Sequence, residues 1–159
     1  MIKIDDYYGL GSDKAILDAA LSYLGVDDIE IVVTRNDNLI QRYSNDRWVV
    51  GAICYRAPKP LTSHYTLCVS SNPEKAMPLL LCHEAIHLAQ FQRGDLELNL
   101  ETKEFTWKGR KYSNNVEYKA RPWEIEAFTN EAKILAKVKK GLGIGHCKLF
   151  SFLSKGKKK

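Results

Sequence analysis

Residues 78–92 read PLLLCHEAIHLAQFQ, and this stretch decides how the chain is organised. Fifteen residues pass without an internal Gly, with Pro78 at the start and Gly94 just beyond the end. Pro is tolerated in a first helical turn and Gly suits the position after a last one, so the spacing predicts a helix. The segment is apolar nearly all round, which runs it through the core rather than over the surface. Yet it carries His83, Glu84 and His87. Buried polar groups of this kind are costly unless strong partners satisfy them.

A metal ion supplies such a partner. His83-Glu84-Ala85-Ile86-His87 is an H-E-x-x-H sequence. Histidines at i and i+4 lie one above the other on a helical face, so both imidazoles can reach one ion. Glu84 sits about 100° around the helix from His83, beside the ion rather than on it. There its carboxylate is placed to act as general base on a zinc-activated water. With four His and ten Glu in 159 residues, the pattern arises by chance in roughly 0.6% of such chains. The neighbouring Cys82 points away and reads as a buried thiol.

Working outward, Asp13–Leu24 has Ile16, Leu17, Ala20 and Leu24 at helical spacing, with Ser12 as N-cap and Gly25 as stop. Ile29–Thr34, Trp48–Tyr55 and His64–Ser70 read as strands, separated by turn-rich stretches at 38–46 and 56–63. Beyond the core helix, Glu104–Trp107 and Arg110–Ser113 flank Lys108-Gly109 as a hairpin. A last helix starts at Pro122 and stops at Gly141. The expected fold is α+β in one domain over residues 1–147, with a basic tail at 148–159.

Composition narrows the class. At 45% apolar, 27% charged and ten Gly, the chain is neither collagen-like nor low-complexity. No run approaches the ~18 apolar residues of a membrane helix, and no signal pattern opens the sequence. Cys54, Cys68, Cys82 and Cys147 form no C-x-x-C pair, so a disulfide framework is not implied and a reducing, cytoplasmic setting is expected. The net charge of +5 divides unevenly. Residues 131–159 hold nine Lys and one Glu, a net +8, while residues 1–130 hold 15 basic and 18 acidic groups, a net −3. Binding to nucleic acid or an anionic surface is therefore expected only through the tail. The Gly141, Gly143, Gly145 string follows no strand and reads as a connection rather than a phosphate loop.

A catalytic zinc needs a third protein ligand. A metzincin would carry Gly and His at positions where this chain has Gln90 and Arg93. The next histidine, His146, lies in a Gly-rich segment and reads as a surface residue. Two carboxylates on the last helix remain, Glu124 and Glu126. Two residues apart, they lie about 200° apart, so only one can face the ion.

H-E-x-x-H followed by a helix bearing a ligand Glu resembles the gluzincin zinc metallopeptidases, in particular minimal gluzincins such as small phage and bacterial metallopeptidase domains. The likeness covers His83 to about Asn130. It implies a minimal zincin-like domain: a small sheet packed on the metal helix, then a hairpin, then a ligand-bearing C-terminal helix. It also implies one Zn²⁺, hydrolysis of a peptide or protein substrate, and Glu84 as catalytic base. Glu126-Ala127-Phe128-Thr129-Asn130 fits the ligand form of that class, which selects Glu126 over Glu124, with Asn130 where Asp is commoner. The 38 residues between His87 and Glu126 depart from shorter members. By the same likeness, His64, Tyr65, Thr66, Leu67, Cys68, Val69 and Ser70 form a substrate-aligning edge strand. Tyr112, Tyr118 and Arg121 are candidate oxyanion stabilisers, and Gln90 a candidate cleft residue. Two other readings stay open: a zinc-binding regulatory domain without turnover, and a nucleic-acid-associated protein acting through its lysines.

Overall fold

The computed structural model describes residues 1–35, 37–38, 52–56, 64–71, 75–99, 101–102, 104–113 and 115–144, with the backbone alone at 52–56. The expected turns at 38–46 and 56–63 fall almost entirely outside these residues, as do residues 48–51, His146, Cys147 and the tail.

The chain opens with β1 (Ile2–Asp6), α1 (Lys14–Tyr23) and β2 (Ile29–Arg35). β1 and β2 pair in parallel, with Ile4 opposite Ile31. Alternation makes β2 a strand: Ile29, Ile31 and Val33 are buried while Glu30 and Val32 turn outward. α1 buries Ile16, Leu17, Ala20 and Leu21 against the same side. β3 (Ala52–Arg56) and β4 (His64–Val69) complete a four-stranded sheet in the order β1-β2-β4-β3, with β3 antiparallel to β4. The sequence expectation that His64–Ser70 forms an edge is thereby corrected. β4 is bonded on both sides, parallel to β2 and antiparallel to β3, because its Tyr65, Leu67, Cys68 and Val69 are all buried and a strand of that kind suits a sheet interior.

Helix α2 (Met77–Gln92) carries the H-E-x-x-H motif, and every residue from Leu80 to Phe91 is buried. It ends with Gly94 at φ 74°, where Gly94 N–H donates to the Phe91 carbonyl and Asp95 N–H to the Gln90 carbonyl. The left-handed residue after a helix is a glycine role because a Cβ there is strained. α1 stops at Gly25 in the same manner. Its expected N-cap is absent: Ser12 lies in a 3-10 turn, Gly11–Asp13, and α1 begins without a side-chain cap.

Two short strands escaped the sequence reading, β1 and β5 (Leu96–Leu98). β5 joins β6 (Phe105–Trp107) and β7 (Arg110–Tyr112) in an antiparallel three-stranded sheet. The expected hairpin is present, with Lys108 at φ 47° and Gly109 at φ 80°, the paired positive angles of a tight two-residue turn. Helix α3 (Pro122–Gly141) packs across α2 and runs through Gly141; its terminating left-handed residue is Gly143. The described chain is thus a small mixed α/β domain of three α-helices and two small sheets. No described helix is long and apolar enough to cross a membrane.

Candidate metal centre

One turn of α2 separates His83 from His87, and their Nε2 atoms lie 3.1 Å apart. From the first turn of α3, Glu124 brings Oε2 to 3.2 Å from His83 Nε2 and 3.4 Å from His87 Nε2. All three side chains are buried, at 2%, 7% and 5% exposure for His83, His87 and Glu124. They form the one cluster among the described residues whose geometry can hold a metal ion.

The far side of each ring is tied down. His83 Nδ1 donates to Glu131 Oε2 at 2.6 Å, and the same oxygen receives Lys75 Nζ at 2.6 Å. His87 Nδ1 donates to Gln90 Oε1 at 2.8 Å, while Gln90 Nε2 donates to the Trp123 carbonyl at 3.1 Å. With protons fixed at both Nδ1 positions, both Nε2 lone pairs face one another and a carboxylate oxygen. Three such donors at 3.1–3.4 Å repel unless a proton or a cation lies among them. In the metal-free protein a proton does this: burial opposes a charged His87, but the Glu124 carboxylate outweighs it and pulls the ring up to about 9. Burial would raise Glu124, yet His87 and His83 hold it well below the usual carboxylate range. The donor set of two imidazoles and a carboxylate, each imidazole braced from behind, fits a divalent ion such as zinc.

Glu84 is buried beside this group, and burial raises its carboxyl above the ordinary range against the opposing pull of His87 and His83. A carboxylate so raised is a stronger base. The Tyr118 hydroxyl hydrogen-bonds Glu124, and its titration is pushed up, by burial first and by Glu124 next.

The other expected residues are placed differently. Glu126 turns away from the histidines and pairs with Arg93 at 3.0 Å. Asn130 donates to the Glu126 carbonyl at 2.8 Å and braces no imidazole. Glu126 also borders a groove of about 310 Å³ with Tyr23, Leu24, Ile86, Ile134 and Lys137, which includes none of the three clustered side chains. Tyr112 packs edge-on against Trp123, with ring centroids 5.4 Å apart. Arg121 lies over the Phe105 and Tyr118 rings at 5.5 and 5.6 Å and donates to the Val116 carbonyl. Of the three oxyanion candidates, Tyr118 bonds a member of the cluster. Cys82 is fully buried, its thiol pushed up to about 12 by burial and by Glu131; Cys68 is likewise a free buried thiol.

Glu131, Lys75 and the bracing role of Gln90 were missed in the sequence. Two carried a signal: Gln90 follows His87, its target, by three residues on one helix, and Glu131 follows Glu124 by two helical turns, which puts it on the face of α3 that meets the histidines. Lys75, before α2, carried none. Compared with protein-family models, with curated proteins and with solved structures, the chain has no significant match.

Proposed function

We propose that this chain is a zinc-dependent metallopeptidase of the gluzincin type, with His83, His87 and Glu124 as ligands and Glu84 as general base. The observation that carries the reading is the convergence of two imidazole Nε2 atoms and one carboxylate oxygen within 3.4 Å, each ring braced at Nδ1. When bound, zinc supplies Lewis acidity toward a peptide carbonyl and toward a water. The protein's own groups do the rest. Glu84 takes a proton from the attacking water at its carboxylate and delivers it to the departing amide nitrogen. Tyr118, whose O–H donates to Glu124, stands beside the centre and can turn that one donor to the oxygen that gains negative charge. Glu131 and Gln90 keep both imidazoles in the tautomer that faces the ion. In a zincin-like arrangement the task of aligning an extended substrate falls to β3, the antiparallel edge strand, rather than to β4.

The near-complete burial of the cluster favours a second reading, a metal-stabilised domain without turnover. Glu84 separates the two, since a structural site has no use for a buried base beside its ligands. Zinc-loaded protein and its Glu84→Gln variant are to be compared on a peptide library, with metal content measured in both. The peptidase reading expects one zinc in each and a turnover at least 10²-fold lower in the variant. Equal turnover with metal retained would overturn it.

A further inference from the structure

Helix α3 carries more apolar surface than the core uses. Trp123, Ala127, Ile134 and Val138 are buried, but a second stripe, Ile125, Phe128, Ala132 and Leu135, runs along a different side. Ile125 is 50% exposed and Phe128 37%, Ala132 is exposed, and Leu135 is half-buried. Single exposed apolar residues are ordinary. This stripe, however, meets the candidate metal centre at Phe128. The Phe128 ring stands edge-on to His83 with centroids 4.9 Å apart and edge-on to Tyr118 at 6.0 Å.

We propose that Phe128 and Ile125 receive an apolar side chain of the peptide substrate adjacent to the bond being cut. The assignment rests on the metallopeptidase reading and deepens it by naming the substrate class. Distance supports it: a ring 4.9 Å from the His83 ring lies within one side-chain length of the ligating nitrogens. Charge decides the chemistry of the occupant. An acidic side chain would meet the buried carboxylates of Glu84, Glu124 and Glu131, and the nearby cations offer it little, because Lys75 is bound to Glu131 at 2.6 Å and Arg121 donates to the Val116 carbonyl. A basic side chain would seek the Phe128 ring, but Lys75 Nζ already sits 4.2 Å from its centroid and repels a second cation. An uncharged apolar group loses nothing to either effect and covers exposed hydrocarbon.

The test compares zinc-loaded wild type, Phe128→Ala and Ile125→Ser on fluorogenic peptides identical except for Leu, Ala, Asp or Lys beside the scissile bond. Wild type is expected to favour Leu over Ala by about 10- to 200-fold in kcat/KM, and Leu over Asp and Lys more strongly. Phe128→Ala should cut the Leu:Ala ratio about tenfold or more, and Ile125→Ser should cut it to a lesser degree, both still binding one zinc. Ile125→Ser carries the test if the larger truncation fails to fold. A binding readout free of turnover is the affinity of an isobutyl-substituted hydroxamate relative to acetohydroxamate, a gap that Phe128→Ala should narrow. Cleavage with ratios unchanged in both variants would overturn the assignment and leave the peptidase reading standing; so would a stripe covered by another part of the chain or a second copy, which gives that same result. Zinc-loaded wild type that cleaves no peptide would overturn the peptidase reading and this assignment together.

Discussion

The choice between Glu124 and Glu126 shows what a single side chain decides. Both sit early on α3, and family form selects Glu126, yet Glu124 Oε2 lies 3.2 Å from His83 while Glu126 pairs with Arg93 at the surface. The two experiments separate cleanly. Glu126→Gln removes a half-exposed ion pair worth under about 1 kcal/mol and should leave metal affinity unchanged. Glu124→Gln removes a ligand oxygen and should weaken zinc binding by more than the 10- to 100-fold that loss of a bracing group produces. Gln90→Leu tests such a brace. It leaves His87 Nδ1 without its buried partner, so a 10- to 100-fold loss of zinc affinity is expected with the ligands intact, measured by competition with a chromogenic chelator. Affinity unchanged in Gln90→Leu would mean that the ring is oriented by packing alone. H-E-x-x-H was legible because its spacing is fixed by one helix. The third ligand was not, because facing is set by how α3 rolls against α2, and that roll buries Trp123, Ala127 and Ile134 with Glu124 and leaves Glu126 to Arg93.

Among the elements, those with strong local chemistry were legible and the short ones were not. Pro78 and Gly94 bracket α2, and Lys108-Gly109 makes the hairpin turn, because each depends on the torsional preference of one or two residues. β5 has three residues and gains its place only by pairing with β6, which no local pattern announces. β4 shows a subtler limit. Its apolar run reads as a strand, as does Trp48–Tyr55, which supplies β3, but interior and edge differ by which neighbours arrive, and no local pattern states that β3 pairs with β4. The end of α2 offers a measurable case. Gly94 has φ 74° and nothing within 4 Å of where a Cβ would stand, so Gly94→Ala meets backbone strain without a clash. A loss of about 1–2 kcal/mol is expected, about 2–8 °C in Tm for a domain of this size. An unchanged Tm would mean that the turn relaxes to an ordinary conformation at no cost.

For the molecule as a whole, the core is built around a helix whose most polar face is also buried, and this ties stability to pH and to metal. In the metal-free protein His87 is raised from 6.5 to about 9. A raised base contributes stability that is complete below pH 6.5 and is lost as pH climbs through about 9. Glu84, raised by burial from 4.5, acts in the same direction, because ionising it in the folded state costs more than in the unfolded chain. Glu124, held low, contributes above pH 4.5 and loses its contribution as pH falls below that. Metal-free protein should therefore be most stable near pH 4.5, where Glu124 already contributes and Glu84 has not begun to lose, and should melt at steadily lower temperature toward pH 9. Zinc offsets the trend. Its binding displaces the proton shared by His87 and Glu124, so affinity should rise about tenfold per pH unit until His87 is deprotonated near pH 9. Since a ligand of the folded state stabilises by RT ln(1 + [L]/Kd), the rise in Tm on adding zinc should be small at pH 6 and several-fold larger at pH 8.5. Melting curves at fixed free zinc and in excess chelator, taken across that range, measure both slopes. A metal-free Tm that stays flat from pH 6.5 to 9, or a zinc increment independent of pH, would mean that His87 and Glu124 do not share a proton, and the converging lone pairs would need another account.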